Sequence, residues 1–73
     1  MTTAPKTIRR RKGWPKWAKW YAKDADGGTF LFEKEPLIGG TTWYEPSFHG
    51  KLDEIEINRP CKSWQQSLRR ILP

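Results

Sequence analysis

Arg9-Arg10-Arg11-Lys12 is the densest run of cations in the chain. Arginine forks pair bidentately with phosphate or carboxylate. The run therefore suits a polyanion or an acidic protein surface, although a cationic run also serves as a plain solvated tail. Trp14, Trp17 and Trp20 follow, interleaved with Lys16 and Lys19. Aromatics among cations stack on unpaired bases in single-strand binders, and Trp and Arg are enriched at the energetic centres of protein interfaces. The same tryptophans are core material in a chain poor in aliphatics. Trp20 and one of the other two are expected inside, with Trp14 the most exposed. The candidate partner-binding set is Lys6, Arg9, Arg10, Arg11, Lys12, Trp14, Lys16 and Lys19.

Other reactive residue types form no constellation. His49 has no patterned base, nucleophile or orienting group near it in sequence, and nucleophilic catalysis needs such a set. Cys61 sits between Arg59 and Lys62, which favour a thiolate, but a lone thiol before a helix is ordinarily incidental. Asp24, Asp26 and Glu35 fall at positions 1, 3 and 12 of a calcium loop, yet Thr29 stands where that loop needs glycine and Gly28 offers no ligand. A hairpin turn is the better account of that stretch. Gly27-Gly28 and Gly39-Gly40 lack the spacing and the lysine of a phosphate loop. No enzymatic activity, cofactor or metal is expected.

The chain that must position these residues is 73 long, with 14 Lys+Arg, 8 Asp+Glu and a net charge of +6. One small domain fits that length. Such a domain buries only about 60% of its unfolded surface. Hydrophobic residues are 36% of the chain, below the roughly 45–50% apolar usage of ordinary domains. Five Trp, three Phe and two Tyr offset the shortfall, because each aromatic buries a large area. A single cysteine makes no internal disulfide, so a reducing cytosol is expected. No leader pattern and no apolar run longer than a few residues appears, so no membrane span is expected.

Charge divides the chain into blocks. Residues 1–23 carry eight cations and no acid, residues 24–58 carry all eight acids against Lys34 and Lys51, and residues 59–73 carry four cations. A plain nucleic-acid binder has no need of the acidic middle. A blockwise layout suits a partner with both signs on its surface.

Residues 1–13 read as a flexible basic arm and 14–73 as a single small β-rich domain. Over Trp17–Lys23 a helix would put Trp14, Trp17 and Tyr21 on one face, and a strand would alternate Ala18, Trp20 and Ala22 against the rest. The Asp24–Gly28 turn chemistry favours the strand. Thr29–Glu33 is a second strand, Leu37–Gly40 a loop, Thr41–Glu45 a third strand and Ser47–Gly50 a turn. Leu52–Ile57 alternates as a half-buried fourth strand. Ser63 and Gln66 have capping-box spacing, and Trp64, Leu68 and Ile71 recur at helical intervals. The expected fold is α+β, mainly β: a small antiparallel sheet of three to four strands, a short C-terminal helix and a disordered basic N-terminal arm. Trp20, Phe30, Phe32, Trp43, Ile55, Ile57 and Leu68 are the expected core.

The stretch from Trp17 to Gly27, with the aromatic strand and the Glu35-Pro36 step after it, resembles small proteins common in bacteriophage genomes. With the length and basic arm, the chain resembles the small phage regulators of host RNA polymerase, of the kind that act in Xanthomonas phages as transcription inhibitors and antiterminators. The resemblance covers about residues 14–45 by motif and the remainder by layout. It implies a protein, monomeric when free, in the cytoplasm of an infected bacterium. It implies binding to a host RNA polymerase subunit, β′ above all, with loss of σ-dependent initiation, antitermination and a secondary contact with nucleic acid. Two other readings stay open: a basic DNA- or RNA-binding protein, and an inhibitor of a host defence or nuclease system.

Overall fold

The fold is given by a computed structural model, which describes residues 6–45, 50–57, 59–60 and 62–73. Among the described residues seven strands form: β1 (Lys6–Ile8), β2 (Trp20–Lys23), β3 (Gly28–Phe32), β4 (Leu37–Gly39), β5 (Thr42–Tyr44), β6 (Leu52–Ile57) and β7 (Arg69–Ile71). Five make one sheet in the order β1-β7-β2-β3-β6, and β4 and β5 make a separate hairpin. The mainly β character matches the sequence expectation. His49, Cys61, the Ser47–His49 part of the expected turn and residues 1–5 lie outside the described residues.

The β2–β3 hairpin follows from its turn chemistry. Gly27 takes φ 95°, a region that costs glycine little. Its N–H donates to the Asp24 carbonyl at 3.0 Å, and the Gly28 N–H donates to Asp26 Oδ1 at 2.9 Å. Trp20 then faces Phe32, and Tyr21 faces Leu31. Trp17 lies in a turn before β2, so the strand is shorter than the Trp17–Lys23 expectation.

Three expectations are corrected. The first is the disordered arm. Lys6–Ile8 is a strand that pairs in parallel with β7, placing Ile8 beside Ile71. Both isoleucines then pack at one apolar cluster, and the sheet becomes mixed rather than purely antiparallel. The second is the C-terminal helix. Only a 3-10 turn forms, at Trp64–Gln66, and Ser63 makes no side-chain cap bond. A helix of two turns is marginal in water, whereas Arg69–Ile71 as a strand finds partners on both sides. Ser67 fastens the turn: its hydroxyl accepts from the Lys23 N–H at 2.8 Å and donates to the Trp64 carbonyl at 2.6 Å. The third is the Leu37–Gly40 loop. Leu37–Gly39 pairs with Thr42–Tyr44, and Gly40 at φ 64° turns between them.

Apolar residues cover both faces of the main sheet. Ala18, Tyr21, Leu31 and Ile71 form the first cluster, covered by Trp14 and Trp17. Ala22, Phe32 and Trp43 form the second, with Trp20, Phe30, Trp64 and Leu68 against it. Ile57 is not core, being 74% exposed on the edge strand β6. Only Ile55 of that strand is half-buried.

Asp24 latches the β4–β5 hairpin to the main sheet. It is buried, and its Oδ1 accepts from the Trp43 N–H at 2.8 Å. The Ala25 N–H donates to the Thr41 carbonyl beside it at 3.1 Å. Burial pushes the Asp24 carboxyl above its ordinary range; the Trp43 N–H opposes this and the Asp26 charge adds to it. A carboxyl raised on folding favours the protonated native state. Its contribution to stability is full below the unfolded value near pH 4 and is lost as pH rises through the folded value. Asp24→Asn keeps the acceptor and sheds the charge, so it should match or exceed the wild type at neutral pH and lose that advantage in acid. Asp24→Ala strands the Trp43 N–H and should cost about 1–3 kcal/mol. Urea melts of both variants at acid and neutral pH read the difference.

Candidate functional site

The sheet separates charge between its two outer strands. β1 lies at one edge and β6 at the other, about 19 Å apart at the usual strand spacing. Lys6 on β1 sits beside Arg69 of β7, and Thr7 sits beside Arg70. Asp53, Glu54 and Glu56 are exposed on β6. One edge of the sheet thus neighbours cations and the other carries carboxylates.

The chain leaves β1 at Ile8, crosses the first apolar cluster and enters β2. Lys19 joins that entry: its N–H donates to the Phe32 carbonyl at 2.9 Å and its carbonyl accepts from the Ile71 N–H at 2.8 Å. Its side chain stays exposed. Arg9, Arg11, Lys12 and Lys16 are exposed along the crossing segment. These, with exposed Lys6 and Lys19, are the expected site residues left facing solvent.

Arg10 is not among them. Its guanidinium donates to the Pro15 carbonyl through one nitrogen and to the Ala18 carbonyl through the other, each at 2.6 Å. It staples the crossing segment shut. Trp14 is half-buried rather than presented to solvent. Its ring stacks on Tyr21, with centroids 5.9 Å apart and planes 26° from parallel. The Arg11 guanidinium lies 5.6 Å from the centre of the same ring, within cation–π range. A chain Arg11–Trp14–Tyr21 therefore links an exposed cation to the core.

Two cations missed in sequence stand on β7, the strand next to this edge. Arg70 is exposed between Thr7 and Trp20. Arg69 is half-buried and donates to the Gln66 and Leu68 carbonyls at 2.8 and 2.9 Å. The signal was the basic block at residues 59–73, which only the strand pairing of β7 brings to β1. Among the described residues no group of three or more His, Cys, Asp and Glu side chains is arranged to hold a metal ion. No helix among them is long and apolar enough to cross a membrane.

No protein-family model, no curated protein and no solved structure matches this chain.

Proposed function

We propose that this protein is a small phage-type regulator that docks its basic edge on bacterial RNA polymerase, at the β′ subunit, and lowers σ-dependent initiation. Antitermination would be a second consequence of the same contact, and the setting would be the cytoplasm of an infected host. The observation that carries the docking part is the split of charge between the two sheet edges. A molecule with a positive and a negative edge is oriented by a partner's field before contact. The choice of polymerase rests on the resemblance of residues 14–45 to small phage regulators. The protein would act by occupying a site that σ, DNA or RNA also needs.

The test is co-elution of the full chain with purified core polymerase, followed by promoter-directed transcription with the protein titrated in. Binding and a falling transcript yield support the reading. No co-elution and an unchanged yield at saturation discard it and favour an inhibitor of a host defence or nuclease system.

A plain nucleic-acid binder is favoured by one specific observation, the exposed cations Arg9, Arg11 and Lys12 that follow the edge strand β1, with exposed Arg70 on the neighbouring strand β7. Four phosphate contacts give a slope of log affinity against log salt of about −3.6 for duplex DNA. Polymerase binding that buries apolar area should fall less steeply. Fluorescence anisotropy over a salt series distinguishes the two.

A further inference from the structure

Both ends of the main sheet are open: among the described residues no strand pairs with the outer side of β1 or of β6. Lys6 and Thr7 are exposed on one edge, and Leu52, Asp53 and Glu54 on the other. Open edges invite strand addition, and proteins discourage it with charge. Charge of one sign repels an identical edge. These two edges carry opposite signs, so each is protected against its own kind and not against the other.

The pairing register runs unbroken from one edge to the other. One row joins Lys6, Arg69, Tyr21, Leu31 and Asp53, and the next joins Thr7, Arg70, Trp20, Phe32 and Leu52. Residues directly opposite one another share a face of the sheet. β1 and β7 run parallel and every later neighbour reverses direction, so β6 runs opposite to β1. A second copy set beside β6 in the same orientation therefore offers its β1 as an antiparallel neighbour with matching faces. The backbone hydrogen bonds fit the same placement. The Ile8 carbonyl accepts from the Leu72 N–H, so the polar groups of Ile8 face β7 and those of Thr7 face outward. The Glu33 N–H donates to the Lys51 carbonyl, so Lys51 and Asp53 turn toward β3 and Leu52 turns outward. Thr7 opposite Leu52 then makes a hydrogen-bonded pair. Lys6 falls opposite Asp53 in the closer, non-hydrogen-bonded position. A bulge at Ile55, which has no partner on β3, leaves residues 52–54 as a regular stretch of the same length as β1.

We propose that the chain assembles head to tail with copies of itself, the basic β1 edge of one docking on the acidic β6 edge of the next. Such a contact has no two-fold axis and builds a series rather than a closed dimer. Two β6 edges would set carboxylates against carboxylates, and two β1 edges lysines against lysines. Association of this kind needs no polymerase, and it replaces the free monomer that the resemblance implies.

The test is sedimentation equilibrium of the full chain alone, at low salt, over a concentration series. The weight-average mass should climb past that of a dimer, and high salt should reverse the rise. Asp53→Lys and Lys6→Asp should each weaken association about tenfold, and the double variant, which exchanges the two charges, should restore it. Thr7→Pro removes the outward N–H and leaves the β7 pairing intact, so it should stay monomeric. If Thr7→Pro melts early, the charge exchange decides. A wild type that is monomeric at every concentration overturns the proposal. So does an assembly that stops at a dimer, or one that Asp53→Lys leaves unchanged.

Discussion

Phe32→Ala should abolish the cooperative thermal transition. Phe32 is 1% exposed and is the largest fully buried side chain among the described residues. It joins Ala22 and Trp43 in the cluster beneath the β4–β5 hairpin, with the Phe30 ring 6.2 Å away. Truncating a buried phenylalanine costs about 3–5 kcal/mol, and a domain this small holds about 5 kcal/mol in all. The loss also releases Trp43, whose N–H is the partner of buried Asp24. Ile57→Ala is the matched control. With that side chain 74% exposed, its change should stay within about 0.5 kcal/mol. Near-ultraviolet circular dichroism on heating reads both. A wild-type midpoint for Phe32→Ala would mean that the second cluster is not what holds the sheet.

Part of this core was legible because the sequence suggests one buried face. Of the residues expected inside, Phe32 and Trp43 are buried in the second cluster, and Trp20, Phe30 and Leu68 are partly buried against it. Tyr21, Leu31 and Ile71 alternate to the other face. They are buried because the Trp14–Ala18 segment returns over them, and no local period announces such a cover. Ala18 and Ala22 are fully buried and carry little hydrophobic signal of their own. The turn at Asp24–Gly28 was legible because positive φ and Asx chemistry are written in residue type. β1 and β7 were not, being three residues each and rich in cations. Their parallel pairing joins residues near opposite ends of the chain. The same non-local pairing explains the site. Arg9, Arg11 and Lys12 stand exposed as expected, Arg10 is drawn inward by two carbonyls, and Arg70 arrives from the far end.

Neutralising the exposed cations of the basic edge should change binding far more than stability. Arg9→Gln, Arg11→Gln and Lys12→Gln together remove three charges from residues that are exposed. The melting midpoint should fall only by what the Arg11–Trp14 contact contributes, about 0.5–1 kcal/mol at a surface site. Arg10 must be left intact, because Arg10→Gln would remove the fork that joins the Pro15 and Ala18 carbonyls. It therefore serves as the opposite control, a variant that loses stability. For duplex DNA the salt slope should drop from about −3.6 to about −0.9, leaving only Arg70 in contact. For polymerase, the loss should reach several kcal/mol where these cations meet desolvated carboxylates, and much less on a solvated rim. Linkage adds a condition that nucleic-acid binding alone does not meet. If the protein weakens σ binding to core polymerase, σ must weaken its binding by the same factor. The triple variant must then lose inhibition of initiation and competition with σ together. A variant that keeps full competition with σ while losing DNA affinity would move the polymerase contact away from the basic edge.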